Sequence, residues 1–349
     1  MPDTASAASG GRPAGRSLPD TESFAAAIRA GDRRMLARAI TLVESTRTDH
    51  RAAAEALLEA LLPDAGRALR VGISGTPGVG KSTFIEALGL HLVDSGKRLA
   101  VLAVDPTSAR SGGSILGDKT RMEQLSRRPE AFIRPSPAGR SLGGVARRTR
   151  EALLLCDAAG HDVVLVETVG IGQSETAVAD MVDLFMLLLA PGGGDDLQGI
   201  KRGVMELADL IVINKADGDL LPAAKTAQAD YRSALGLMRP RFAAWKAEVL
   251  LASALRSEGI GPVWERIEAF RQGLTDSGEF DRQRADQAVS WMWRDLTDTV
   301  VESLQADAEL RAAAERRERE VRDGRSTPMA AARSLLEAFL RRGPEAARP

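Results

Sequence analysis

Gly75-Thr76-Pro77-Gly78-Val79-Gly80-Lys81-Ser82, continued by Thr83, fits the spacing G-x-x-x-x-G-K-[ST]. Residue types in that order hold phosphate. The glycines let successive backbone N–H groups turn inward around phosphate oxygens. Lys81 brings a point charge to the outer phosphates, and the Ser82 hydroxyl is suited to ligate Mg2+. The motif carries weight only between a strand and a helix. Here Val71–Ser74 reads as a strand and the stretch from Thr83 as a helix, whose N-terminus adds a dipole that favours the anion. An ordinary glycine turn would need neither neighbour.

A second motif selects the base. Asn214-Lys215-Ala216-Asp217 closes the apolar run Leu210–Ile213 and matches N-K-x-D, the pattern of guanine-specific P-loop proteins. A carboxylate at Asp217 accepts hydrogen bonds from guanine N1–H and its 2-amino group. Adenine offers neither, and an unpaired buried acceptor costs roughly 1–3 kcal/mol. Ser253-Ala254-Leu255 follows the next run and reads either as the short loop that closes over the base or as a plain loop. Glu167-Thr168-Val169-Gly170 stands where GTPases carry D-x-x-G, with Glu in place of Asp. In that pattern the carboxylate holds Mg2+ through water and the glycine N–H reads the γ-phosphate. Asp105 ends the run Leu99–Val104, where a doubly wound sheet puts its ligands; the other reading is a turn-former before Pro106.

These groups need elements to position them. Short apolar runs at Leu69–Ser74, Leu99–Val104, Asp162–Glu167, Asp183–Leu189, Leu210–Ile213 and Glu248–Leu251 alternate with helix candidates near 82–95, 145–159, 199–208, 219–237 and 260–273. Such alternation predicts an α/β fold, a P-loop NTPase with a mostly parallel sheet covered by helices. Upstream, Phe24, Ile28, Leu36, Ile40 and Val43, then Ala53, Leu57 and Leu61, recur near the helical period. Downstream of Gly278 no strand signal returns. Trp291, Trp293, Leu296, Val300 and Leu304 form an apolar stripe that either packs on the core or makes a symmetric dimer seam. The expected organisation is a disordered leader over 1–20, an N-terminal helical segment over 21–66, a GTPase domain over 67–278 and a C-terminal helical dimerisation arm over 279–349.

Composition removes other classes. The 349 residues carry 47 basic and 48 acidic side chains, a net charge of −1, so no global excess points to nucleic acid or an anionic membrane. Aromatics at 4% do not supply a base-stacking platform. One cysteine, Cys156, forms no intrachain disulfide, and three scattered histidines argue against a Cys/His metal centre. The run Leu184–Ala190 is too short to span a bilayer, and no secretory core precedes it, so the expected address is the cytoplasm.

Together the motifs resemble the methylmalonyl-CoA mutase-associated GTPases, the MeaB family. The similarity runs through Val101–Pro106, Gly112–Met122, Phe132–Pro137, Val166–Glu175 and Leu197–Lys201. The resemblance implies a homodimeric, Mg2+-dependent GTPase, with GTP and GDP as bound nucleotides. It implies a chaperone of an adenosylcobalamin-dependent acyl-CoA mutase that gates cofactor loading and protects or rescues the mutase. It implies Ser82, Asp105, Asp118 and Glu167 on the Mg2+ side, Lys81 on the phosphates and Arg121 as a switch residue. Gly192–Lys201 is similar to the family's additional switch, with Gln198 and Lys201 as partner-dependent elements. Alternatives are a P-loop small-molecule kinase, which lacks an acceptor lid here, and a metal-delivery GTPase of related fold, which would want a Cys/His cluster.

Overall fold

The computed structural model describes residues 19–45, 47–104, 122–135, 142–168, 174–192 and 202–341. Seven strands, β1 (Leu69–Gly75), β2 (Leu99–Val104), β3 (Ala131–Pro135), β4 (Val163–Thr168), β5 (Leu184–Leu189), β6 (Leu210–Ile213) and β7 (Glu248–Leu251), form one parallel sheet. Their order is β3-β2-β4-β1-β5-β6-β7. Every residue of β2, β4, β5 and β6 is buried, as a sheet covered on both faces requires. The six apolar runs read from sequence become β1, β2 and β4–β7, confirming the α/β P-loop fold. β3 is a strand that the sequence pattern does not predict. It has five residues and ends in Arg134 and Pro135, so it offers no apolar run long enough to read.

The described helices are α1 (Thr21–Arg29), α2 (Arg33–Val43), α3 (Thr48–Leu61), α4 (Lys81–Asp94), α5 (Glu123–Ser126), α6 (Leu142–Ala158), α7 (Ser174–Ala179), α8 (Arg202–Leu207), α9 (Leu221–Gly236), α10 (Ile260–Asp276), α11 (Glu279–Ala306), α12 (Ala308–Arg322) and α13 (Pro328–Arg341). One apolar core lies between the sheet and α4 and α10, with Phe84, Leu88, Val263 and Phe270 meeting Val71, Ile73 and Leu165. The other joins Phe24, Ile28, Leu36, Ile40 and Leu57 of α1–α3 to α6 and to Val164 and Val166 of the sheet. The N-terminal helices thus share a core with the strands. Asp20 and Asp32 start two of them by accepting N–H bonds, Asp20 from Ser23 at 3.0 Å and Asp32 from Arg34 at 2.8 Å.

At the N-terminal ends of the strands, carboxylates close backbone N–H groups. Asp157 accepts from Gly66, Arg67 and Ala68 at 2.7, 3.1 and 2.9 Å. Asp183 accepts from Arg70 N–H at 2.7 Å and Asp209 from Phe185 N–H at 2.8 Å. Arg284 of α11 donates to both Asp183 oxygens at 2.8 and 2.7 Å and to the carbonyls of Gly66 and Ala68. This bolts α11 beneath the sheet. Gln283 and Gln287 add bonds to the Val182 carbonyl, and Trp291 Nε1 donates to Asp180 O at 3.1 Å.

The five-residue stripe read on α11 is not one face. Positions 291 and 293 lie about 200° apart on a helix. Trp291 therefore packs against the core, under the guanidinium of Arg150, while Trp293 and Leu296 join Val289 and Met292 on the exposed side.

Candidate active site

The phosphate loop runs from the end of β1 into α4. Val79 is buried and anchors the loop from within. Gly80 adopts φ 93°, and a Cβ there would stand 2.8 Å from Asn214 Nδ2, so the position needs glycine on both counts. Lys81 Nζ donates to the carbonyls of Gly75 at 2.7 Å and Thr76 at 3.2 Å, which holds its ammonium at the loop. Burial lowers the Lys81 pKa, against the raising influence of Glu167 and Glu175. An ammonium short of solvent and facing two carboxylates is suited to a phosphate counter-charge.

Across the loop, Ser82 Oγ donates to Glu167 Oε1 at 3.3 Å, and Glu167 is buried at the end of β4. The next residue, Thr168, donates through Oγ1 to Ser74 Oγ at 2.9 Å and ties β4 to the root of the loop. Hydroxyl and carboxylate together make an all-oxygen donor pair, which fits Mg2+: that ion takes one or two carboxylates alongside phosphate oxygens. The Glu-for-Asp departure leaves the carboxylate in contact with Ser82.

The residues that the sequence assigns to the base are brought to the same end of the sheet. Asn214 Nδ2 donates to Val79 O at 2.9 Å, and its Oδ1 accepts from Ala254 N–H at 3.0 Å. One buried side chain therefore ties the phosphate loop, the end of β6 and the loop after β7. Lys215 Nζ donates to Gly78 O at 2.7 Å from a left-handed backbone, φ 59°. Asp217 accepts from Ser253 Oγ and has Arg256 Nε 3.9 Å away. Ser253 is locked by reciprocal backbone bonds with Glu258, at 2.9 and 3.1 Å. Ser253–Leu255 is thus an ordered element against Asp217, with Leu255 82% exposed beside it.

Lys81, Ser82, Glu167, Asn214, Lys215, Asp217 and Ser253 are brought together around the phosphate loop and the ends of β4, β6 and β7. Asp105, Asp118, Arg121, Gln198 and Lys201 lie outside the described residues. Other participants carry no sequence signal of comparable strength. Thr168 and Ser74 belong to no motif position of their own. Arg256 follows directly on Ser253–Leu255 and is open to notice there. Glu175, buried and acting on Lys81, sits in the first turn of α7.

Residues 36–309 match the family model described as "Methylmalonyl Co-A mutase-associated GTPase MeaB". The chain belongs to the MeaB family. It is 52% identical over 280 residues to "GTPase ArgK" of Escherichia coli, covering 80% of this chain and 85% of that protein. It is 50% identical over 319 residues to the mouse protein "Methylmalonic aciduria type A homolog, mitochondrial", covering 88% of this chain and 77% of the relative. A solved structure described as "Crystal structure of LAO/AO transport system kinase" superposes with a TM-score of 0.73 at 40% identity, over 93% of this chain and all of that one. As a MeaB-family member the chain is a P-loop GTPase that binds guanine nucleotide and hydrolyses GTP to GDP and phosphate. No described helix is long and apolar enough to cross a membrane.

Proposed function

We propose that this GTPase is a G-protein chaperone of an adenosylcobalamin-dependent acyl-CoA mutase, with methylmalonyl-CoA mutase as the client. GTP hydrolysis gates cofactor loading and protects or reactivates the client. The supporting observation is the family match itself, across residues 36–309, to GTPases described by their association with that mutase. The chain acts in the cytoplasm, without nucleic acid or membrane. It works as a homodimer whose seam includes the exposed apolar side of α11, formed by Val289, Met292, Trp293 and Leu296. Kinase activity is not the reading proposed, because Asn214 and Asp217 stand in the N-K-x-D pattern, and the contacts of Asp217 with Ser253 and of Asn214 with Ala254 support their acting together on guanine.

In this reading Lys81 and the loop N–H groups neutralise and orient the outer phosphates. Asp217 excludes adenine. Ser82 and Glu167, with Asp105 and Asp118, would hold Mg2+, which would supply neutralising charge to the phosphates. Arg121, Gln198 and Lys201 provide the remaining transition-state contacts, and the client orders them. A well-placed cationic side chain contributes roughly 10³–10⁵ in rate, so turnover is slow alone and faster with the partner.

The test is GTP turnover of the full chain with and without methylmalonyl-CoA mutase. Stimulation is expected for the wild type. Lys201→Ala should keep basal turnover and lose most of the stimulation. Equal loss of both would make Lys201 an intrinsic catalytic residue and remove partner gating.

A further inference from the structure

Arg34 and Arg38 of α2, His50 of α3 and Arg134 at the end of β3 surround an open groove of about 350 Å3. Arg134 also lines a cleft beside it, shared with Glu44 and with Arg148 of α6. Among the described residues only one of these four guanidiniums meets a carboxylate directly. Arg134 meets Glu44 at 2.6 Å and donates to Thr41 Oγ1 at 3.2 Å. Arg34 and Arg38 have no carboxylate partner among the described residues, and Arg148 shares Glu44 with Arg134 through its longer-range charge. Arg38 reaches only Met35 Sδ, at 3.8 Å, and the ring of Phe24, 6.0 Å from its centroid.

Elsewhere in the same layer arginines are mostly paired, although Arg33 of α2 donates to the carbonyls of Arg128 and Pro129 instead of a carboxylate. Arg29, Arg47 and Arg51 each meet a carboxylate between 2.6 and 3.1 Å. The chain carries a net charge of −1, so the strip is not the overflow of a basic protein. Like charges gathered in one groove repel, and within a Debye length of about 10 Å salt screens them only in part. Glu44 supplies a single carboxylate to this strip, and Arg134 already meets it.

We propose that this groove is a docking surface for an acidic segment of a partner protein. Its span selects that occupant. Arg34 and Arg38 stand about 6 Å apart along α2, while Arg134 and Arg148 come from a strand and another helix. A chain bearing several carboxylates engages all of them, whereas one small anion cannot. The described lining contains no Phe, Tyr or Trp, the rings on which nucleic-acid bases stack best, and His50 is its one aromatic ring. The groove lies at the β3 edge, with β2 and β4 between it and the phosphate-loop strand, so it is separate from the nucleotide site.

The probe is fluorescein-labelled octaglutamate, with binding to the full chain followed by anisotropy at rising salt. Arg34→Glu with Arg38→Glu should weaken binding roughly tenfold or more, as charge reversal at a complementary surface does. Arg316→Glu with Arg319→Glu, the same charge change on α12, should leave it unaltered. Basal GTP turnover should not change in either pair, and the result is independent of any mutase. If reversal impairs folding, Arg34→Gln with Arg38→Gln provides the milder variant and should still weaken binding severalfold. Three results would overturn the proposal: equal weakening by both reversed pairs, displacement of the peptide by equimolar pyrophosphate, or tighter binding of an oligothymidylate than of octaglutamate.

Discussion

The two ends of the sheet use polar side chains in opposite ways. At the N-terminal ends, Asp157, Asp183 and Asp209 are buried and accept backbone N–H bonds, with arginines closing over them. At the C-terminal ends, Lys81 and Lys215 donate to loop carbonyls, and Asn214, Asp217 and Ser253 bridge one loop to another. The first set satisfies groups that have no alternative partner, so its role is stability. The second ties together segments whose donors and acceptors also suit a ligand. Burial of a polar group therefore does not by itself distinguish function from structure; its partners do.

The largest expected effect breaks the stabilising end. Asp183→Ala strips the acceptor from Arg70 N–H and leaves Arg284 charged and largely enclosed. It should cost about 3–5 kcal/mol in urea unfolding. The folded fraction should keep its preference for GTP over ATP, and a changed preference would erase the distinction between the two ends. Asp217→Asn should do the reverse. GDP affinity should fall by about 1–3 kcal/mol by calorimetry and xanthosine diphosphate should gain, because the carboxamide donates to a 2-oxo group. Unfolding free energy should move little.

A smaller effect concerns pH. Burial raises the Asp209 carboxyl from 3.8 to about 6, against Arg241 and the Phe185 N–H. The folded chain holds that proton more tightly than the unfolded one. This contribution to stability is therefore full below about pH 4 and lost as pH rises through about 6. Asp209→Asn lacks it, so the wild type's stability relative to the variant should decline by about 3 kcal/mol across that window. A flat difference would show that Asp209 titrates normally. Smallest is Ser253→Ala, which removes a hydrogen bond from Asp217 and should weaken GDP by about 0.5–1.5 kcal/mol without altering ATP binding.

The functional end is the more legible in sequence. Lys81, Ser82, Asn214 and Asp217 sit in fixed spacings because a phosphate and a base have fixed sizes, and six strands show as apolar runs because both sheet faces are covered. The stabilising end is harder to read. Asp162, Asp183 and Asp209 each directly precede a strand, a regularity visible in the sequence. The Asp183 partner Arg284, however, comes from a helix about 100 residues further on, and no local pattern announces it. Trp291 and Trp293 group together by apolarity, yet two residues of helical rotation put them on different sides.

The sheet order has a consequence for synthesis. The phosphate loop follows β1, yet β1 is flanked by β4 and β5, and the residues proposed to read the base lie in loops after β6 and β7. Roughly 170 residues separate Ser82 from Ser253. At about 5–20 residues per second a ribosome takes roughly 10–35 s to supply the second after the first. For that interval the emerging chain carries a phosphate loop without a base site. It can engage guanine nucleotide selectively only after the last strand has left the exit tunnel.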